Sequence, residues 1–257
     1  MIAGESEMLI NERQNRIIIE LEKDPNITVR ELAEKLCFSE PTIRRDFSEL
    51  HRKGIITKHY GGATLNRGAA DREIPFVLRE NEKSKTKTEI GKMAMEHVRD
   101  GMVIMLDGST SAYHLVPYLA GYKDIIVVTS GAKTALALAE LQIPVISTGG
   151  RMRTNSFSYI GKEAEDTVRR FNADILFFSC HGLSREGMMS DPSVEEANLR
   201  HAMMEKSRER YLLCDSSKIG KTYFYDMGNL RELDGIICDT EEGKNIFAKV
   251  KQSPKGY

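Results

Sequence analysis

The sequence has little of what metal-binding, disulfide-stapled or membrane-spanning proteins require. Its four cysteines, at positions 37, 180, 214 and 238, stand far apart with no paired spacing. That excludes a zinc-finger-like ligand set and a disulfide framework. Cys214 and Cys238 lie in apolar runs and read as small buried hydrophobes. The six histidines show no metal-ligand spacing, so neither a metal nor a cofactor is expected. No apolar run reaches the roughly 18 residues that span a bilayer, and no basic-then-apolar leader opens the chain. The expectation is a soluble, cytoplasmic protein without a membrane partner. Internal repeats and low-complexity segments are missing as well. Net charge is only −1, which argues against a chain wrapped wholesale in nucleic acid. What remains is 257 residues with 40% hydrophobic content, enough for one large domain or for a small and a medium one.

The near-zero net charge hides a local asymmetry. Residues 1–40 carry five Lys/Arg against nine Asp/Glu, a balance of −4, whereas residues 41–67 carry six against two, a balance of +4. The basic stretch falls on SEPTIRRDFSELHRKGIITKHYGG, residues 39–62. Ser39 is a helix-capping residue, and Pro41 is tolerated in a first turn. Ile43, Phe47 and Leu50 recur at i, i+4 and i+7 as one apolar face. Pro41, Arg45, Ser48 and Arg52 fall roughly opposite, with Thr42 and Arg44 on the flanks. A helix that buries one side and shows arginines on the other suits a DNA major groove; the same charges also suit a solvated face. Gly54 ends the helix. Ile55–Tyr60 reads as a strand and Gly61-Gly62 as a tight turn, giving a hairpin that can act as a wing.

Upstream, Glu12–Lys23 reads as a helix with Ile17, Ile18 and Leu21 inward, broken by Asp24-Pro25-Asn26. Thr28 caps a second helix, TVRELAEKL, with Glu31 at the capping-box position. Cys37-Phe38 turns into the arginine-bearing helix, so residues 27–46 read as a helix-turn-helix. The turn often holds glycine; Cys37 there would be strained if its φ is positive. Asn66–Asp71 has the composition of a hinge, and Pro75, Phe76 and Arg79 lead into a charged helix from about Lys83 to Arg99.

From residue 100 the pattern changes. Short apolar strands at Met102–Leu106, Ile125–Val128, Val145–Ser147, Asp174–Phe178, Tyr211–Cys214 and Gly235–Cys238 alternate with helices. These helices are expected at Ala112–Ala120, Ala132–Leu141, Lys162–Phe171, Val194–Arg208 and from Glu241 onward. Such alternation predicts a mainly parallel α/β sheet with helices on both faces, which binds ligands at the C-terminal strand ends. Five successive strand ends carry Gly, Ser or Thr: Asp107–Ser111, Thr129–Lys133, Thr148–Arg153, Ser179–Gly182 and Asp215–Lys218. Amides at a helix start, with hydroxyls and a nearby Lys or Arg, make an anion site. One such loop is ordinary turn chemistry; all five together favour a small molecule bearing phosphate.

The segment LAEKLCFSEPTIRRDFSELHRKGIITKHYGGA resembles the N-terminal region of DeoR-type bacterial transcriptional regulators. Leu32, Ala33, Ser39, Thr42, Ile43, Arg44, Arg45, Asp46, Leu50, Gly54, Gly61, Gly62 and Ala63 stand where that family's pattern has them, although His59-Tyr60 shifts its basic-His pair by one step. The similarity continues through D-G-S-T, T-S-G, G-G-R, Gly161, E-E-A, A-M and D-S-S-K, over roughly residues 10–240. The resemblance implies a winged helix-turn-helix at 9–65, a linker at 66–82, and at 83–250 a sensor for phosphorylated sugars related in fold to ribose-phosphate isomerases and CoA transferases. Double-stranded operator DNA would be one partner, met by Thr28, Ser39, Pro41, Thr42, Arg44, Arg45, Ser48, Arg52, Lys53, Lys58, His59 and Tyr60. Thr42, Arg44 and Arg45 suit base edges or flanking phosphates; Arg52, Lys53 and Lys58 suit phosphates. Asp46 is expected to be structural, paired with a neighbouring arginine.

Carried over by position, the effector pocket would draw on Asp107, Gly108, Ser109, Thr110, Ser111, Thr129, Ser130, Gly131, Gly149, Gly150, Arg151, His181, Gly182, Arg200, Asp215 and Lys218. Ser109, Thr110 and Lys218 would hold phosphate, and Asp107 a sugar hydroxyl or the loop itself. His181 reads equally well as a ligand contact or as a solvated loop histidine. Three positions depart from the family: Ser179–Gly182 where it often has G-A-D-G, Arg200 where it often has Lys, and Ser130 where Asn is frequent. The expected function is an oligomeric repressor, dimer or tetramer, of a sugar catabolic operon, released by a phosphorylated metabolite. Two other classes are weighed against it. A sugar-phosphate isomerase-like enzyme fused to a DNA reader needs a general base; the related isomerases hold acidic residues on the fourth-strand loop, where this chain has no carboxylate before Glu186, although Glu195 and Glu196 at the start of the following helix could approach. A constitutive architectural DNA-binder would respond to no metabolite.

Overall fold

A computed structural model describes residues 13–252 except 15, 19, 22, 23, 25, 53, 54 and 66–74. Lys53, Gly54 and the Asn66–Asp71 hinge lie outside the described residues. The chain divides into two units, Met1–Asn81 and Glu82–Tyr257.

In the first unit the described residues from 13 to 21 are helical, and Ile17, Ile18 and Leu21 are buried. Helix α1 (Val29–Leu36) starts in a capping box in which Thr28 and Glu31 satisfy each other's backbone amides. It ends at Cys37, whose φ of 59° is left-handed, the strain expected where glycine is commoner. Helix α2 (Glu40–Arg52) buries Ile43, Phe47 and Leu50 against α1 and the first helix. Strands β1 (Ile56–His59) and β2 (Gly62–Leu65) pair antiparallel, with His59 opposite Gly62. The tight turn is therefore Tyr60-Gly61, one residue earlier than the sequence reading. Gly61, at φ +86°, takes the position that a type II turn reserves for glycine. Helix α3 (Phe76–Asn81) follows, and Val77 packs on the same core.

The second unit opens with α4 (Ser84–Ala94), shorter than expected because a 3-10 turn takes over at Met95. The strands of the main sheet are β3 (Val103–Leu106), β4 (Ile126–Thr129), β5 (Val145–Ser147), β8 (Ala173–Phe178), β11 (Ser207–Cys214) and β13 (Gly235–Cys238). They are all parallel, in the order β13-β11-β8-β3-β4-β5. Their side chains alternate between two cores. Ile104, Leu106, Val127, Ile175, Phe177, Leu213 and Ile237 face one. Helix α4 covers it with α5 (Thr110–Tyr113), α6 (Val116–Leu119) and α7 (Ala132–Glu140). Met105, Val128, Leu176, Phe178, Leu212, Cys214 and Cys238 face the other. That side is covered by α8 (Lys162–Val168), α9 (Val194–Glu205) and α10 (Glu241–Gln252). The result is a three-layer α/β/α arrangement.

Four elements differ from the sequence expectation. The helix expected at Ala112–Ala120 is two short helices, with Pro117 in the first turn of α6. Helix α9 ends at Glu205, and the polar SRER that follows begins β11 instead of prolonging the helix. The TGGRMR loop is half of a hairpin, β6 (Arg151–Arg153) and β7 (Ser158–Ile160). β12 (Tyr225–Asn229), β10 (Met188–Asp191) and β9 (Gly182–Leu183) pair in that order as a separate small antiparallel sheet.

Strand order reverses at β3. The chain runs outward through β4 to β5, then returns to β8 on the other side of β3. Ligands in open α/β sheets collect at such a reversal, beyond the carboxyl ends of the strands.

Candidate nucleic-acid interface and effector site

On α2 the buried face fixes what is left for DNA. Asp46 is buried beneath it and receives both Nε and Nη2 of Arg13, the latter at 3.0 Å. This is the structural pairing expected of Asp46, and it ties the reading helix to the helix before α1. The outward residues divide by partner. Arg44 pairs with Glu40 at 3.0 Å and Arg52 with Glu49 at 3.4 Å. Arg45 is exposed and makes no hydrogen bond or ion pair among the described residues. Ser48 donates to the Arg44 carbonyl and accepts from Lys58 Nζ at 3.1 Å, which links the wing to α2. Ser39 and Thr42 share a 2.8 Å hydroxyl contact at the helix start, and Pro41 is exposed beside them. Thr28 is occupied with Glu31. His59 is exposed, and Tyr60 projects fully from the wing tip. Lys53 lies outside the described residues.

At the reversal of the sheet, the loops after β3, β8 and β11 meet. Asp107 follows β3 and accepts the amide of Ser109 at 3.2 Å and that of Ser179, after β8, also at 3.2 Å. Ser109 caps α5 through Ala112 N–H, and Thr110 and Ser111 are buried behind it. Lys218, in a 3-10 turn after β11, reaches across to Ser179 Oγ at 2.5 Å and Ser111 Oγ at 3.3 Å. Asp215 holds that turn by accepting the Ser217 amide, and it lies 3.6 Å from Lys218.

Two lysines that the sequence reading left out of the site belong here. Lys83 Nζ is 3.8 Å from Asp215. Lys87 is buried one turn along, with Nζ on the Glu82 carbonyl at 2.7 Å. Burial alone would raise the Asp215 carboxyl. The Lys218 ammonium, the Ser217 hydroxyl, and then Lys87 and Lys83 outweigh it and hold the group below its usual range. Three ammonium groups thus act on one carboxylate. The i, i+4 spacing of Lys83 and Lys87 was the available signal, but it does not say which loop they face.

Arg200, on α9, is a hub. It is buried, donating from Nε to Asp107 at 2.8 Å and from Nη1 to Asp191 at 2.7 Å, with Nη2 3.5 Å from Glu196. Glu196 in turn accepts from Ser156 and Ser158 of the β6–β7 hairpin and lies 3.6 Å from Arg153. Arg151 pairs with Glu195 at the rim. His181 is held by Asp191 at 2.9 Å, with Tyr223 edge-on to its ring. Gly182 is a packing position, since a Cβ there would lie 2.5 Å from the Lys221 carbonyl oxygen. Gly149 and Gly150, at φ +64° and +98°, turn the chain into the hairpin. That hairpin covers the β4 loop: Tyr159 N–H bonds Ser130, Ala132 N–H bonds Phe157, and Thr129 Oγ1 accepts from Gly131. A Cβ on Gly108 would meet Ser158 at 2.6 Å. Of the expected pocket residues, Ser109, Thr110, Ser111, Asp215 and Lys218 therefore gather at the reversal. Thr129, Ser130 and Gly131 stand under the hairpin, and Asp107 and Arg200 form the frame between.

The buried carboxylates Asp107, Asp191 and Glu196 are all tied to Arg200. Burial would raise Asp191, but Arg200 and His181 outweigh it and hold its carboxyl well below the ordinary range, so it is a fixed anion. A carboxyl depressed in the folded state contributes stability that is full above its unfolded value of about 4 and is lost as pH falls through the folded value. Urea unfolding between about pH 5 and 2 is expected to show a steeper loss of stability in the wild type than in Asp191→Asn. Equal slopes would contradict the pairing. Among the described residues no cluster of His, Cys, Asp and Glu is able to hold a metal ion, and no helix is long and apolar enough to cross a membrane.

A winged helix-turn-helix whose outward arginine has no partner among the described residues, joined in one chain to an α/β unit with a lysine between the loops at its sheet reversal, fits a ligand-sensing DNA-binding regulator. Comparison with known proteins gives the family. Residues 13–68 match the DeoR-like helix-turn-helix domain and residues 82–240 the DeoR C terminal sensor domain. The chain belongs to the DeoR family of transcriptional regulators. It is 32% identical to the uncharacterized HTH-type transcriptional regulator YulB of Bacillus subtilis, over 91% of this chain and 90% of that protein. It is 29% identical to the lactose phosphotransferase system repressor of Staphylococcus epidermidis, over 90% and 92%. Among solved structures, ribose 5-phosphate isomerase A of Methanocaldococcus jannaschii aligns with a TM-score of 0.41 at 15% identity, covering 53% of this chain and 54% of that one.

Proposed function

We propose that this chain is a repressor of a sugar or sugar-derivative catabolic operon and that a phosphorylated sugar releases it from its operator. The reader is 9–65, the sensor 83–250, and 66–82 the connection. Arg45, Thr42 and Arg44 meet bases or flanking phosphates of double-stranded DNA; Arg52, Lys53, Lys58, His59 and Tyr60 meet the backbone and the neighbouring groove. Two or four copies bind repeated half-sites in the cytoplasm. The effector phosphate is held by Lys218 with Ser111 and Thr110, under the long-range pull of Lys83 and Lys87. Asp107, Arg200, Asp191 and Glu196 hold the loops in place and need not touch the ligand.

The observation that carries this reading is the Lys218 ammonium, held between Ser111 and Ser179 on two different strand-end loops, beside the Asp215 carboxylate on which Lys87 and Lys83 also act. A thermal-shift screen over phosphorylated aldoses and ketoses, followed by operator gel shifts, tests it. At a hundredfold excess over Kd, a true effector stabilises by about 2.7 kcal/mol, which raises Tm by roughly 5–10 °C for a domain of this size. The same compound is expected to release operator DNA. A panel in which nothing raises Tm and nothing releases DNA would contradict the proposal and favour a constitutive architectural binder.

A further inference from the structure

The start of α7 carries donors that the phosphate reading does not use. This helix has nine residues, Gly131 stands at its N-cap, and no side chain caps it. Its first amide, Ala132 N–H, donates to the Phe157 carbonyl at 2.8 Å. Thr134, in the same turn, is fully buried, and its Oγ1 has no hydrogen-bond partner among the described residues. A Cβ built on Gly131 would lie 2.7 Å from that oxygen, so the hydroxyl is aimed at the helix cap. An unpaired buried hydroxyl is unfavourable and calls for a reason. The carbonyl now at the cap comes from a strained residue: Phe157 has φ +49°, a region that a phenylalanine rarely enters. An anion would take the same donors more strongly, through charge-assisted hydrogen bonds and the positive end of the helix.

The spacing to the lysine site is short. The same Cβ on Gly131 would lie 3.2 Å from Gly108 Cα. Ser111, three residues beyond Gly108, is 3.3 Å from Lys218 Nζ. Three residues reach at most about 11 Å, roughly the length of one sugar chain with an acidic group at each end.

We propose that Thr134 Oγ1 and the N-terminus of α7 form a second anion subsite, and that the effector is doubly acidic, a sugar bisphosphate or a phosphorylated sugar acid. This rests on the reading of Lys218 as the first phosphate site. The second acidic group replaces the Phe157 carbonyl on Ala132 N–H, so the β6–β7 hairpin loses its tie to α7 and Phe157 is freed from its left-handed backbone.

The test is calorimetric titration of the full-length protein with fructose 1-phosphate, fructose 6-phosphate, fructose 1,6-bisphosphate, glucose 6-phosphate and 6-phosphogluconate. At least one doubly acidic probe is expected to bind about tenfold or more tighter than its monophosphate. Thr134→Val is expected to erase that gain, keep the monophosphate affinity, and melt no lower than wild type, because it removes an unpaired hydroxyl. Thr134→Ser, which restores the hydroxyl, is expected to keep the gain. Equal affinities for singly and doubly acidic probes in the wild type, or a gain that survives in Thr134→Val, would overturn the second subsite alone. If no probe binds, or if Lys218→Ala leaves monophosphate binding intact, the first site fails and the second falls with it.

Discussion

Replacing Arg45 with alanine is expected to remove specific operator binding while leaving Tm within about 2 °C of wild type. The structural half of this expectation follows from burial. Ile43, Phe47 and Leu50 hold α2 in its unit, Asp46 ties it to Arg13, and Arg45 takes part in neither. The functional half follows from what its neighbours are doing. In the proposed interface Arg44 and Arg52 would have to loosen from Glu40 and Glu49 to engage DNA, whereas Arg45 has no such partner among the described residues. A bidentate contact to guanine is worth about 1–3 kcal/mol per half-site, so two half-sites lose roughly 30-fold to more than ten-thousandfold. The salt dependence separates the two uses of the residue. If Arg45 reads a base, discrimination between operator and random DNA collapses; if it holds only a phosphate, the salt slope falls by about one and specificity survives. Unchanged gel-shift affinity for a cognate operator would remove Arg45 from the interface.

Lys218→Ala is expected to yield a repressor that binds its operator normally and no longer lets go. The ammonium lies between Ser111 and Ser179, on loops of two different strands, and its side chain is largely buried. A hydrogen bond to a charged phosphate is worth about 1.5–3 kcal/mol, so effector affinity is expected to fall roughly 10- to 150-fold. Asp215 keeps Lys83 and Lys87 as partners, so the turn retains its charge balance. The exposed Lys83 acts from 3.8 Å and its loss is expected to matter far less. Gel shifts at an effector concentration that frees wild-type DNA measure the difference. Release at the wild-type concentration would show that the phosphate lies elsewhere.

These two residues mark what was legible in the sequence. Arg45 could be assigned because a helix repeats every 3.6 residues and Ile43, Phe47 and Leu50 declare its buried side. The six parallel strands were legible as apolar runs because they are covered on both faces. Elements that lack such runs were missed. β6, β7 and the start of β11 are rich in Arg, Ser and Glu, and Arg151, Arg153 and Ser158 pair with Glu195 and Glu196 of α9 instead of facing an apolar core. Arg200 illustrates the limit. Arginine is almost never buried unless paired, and its partners Asp107, Asp191 and Glu196 come from three separate elements. Lys83 and Lys87 stand more than a hundred residues before the Asp215 they act on, and no local pattern links them. Helix and strand periods are local quantities, whereas the electrostatics of the site depend on which strand ends the topology brings together.

Under the proposed function, a phosphate site at the sheet reversal is coupled to the α2 reader of the same chain. Effector affinity measured with and without saturating operator DNA tests it most directly. Because coupling is reciprocal, operator must weaken effector binding by the same factor by which effector weakens operator binding, typically about 5- to 150-fold. Equal effector affinities in the two states would contradict the coupling.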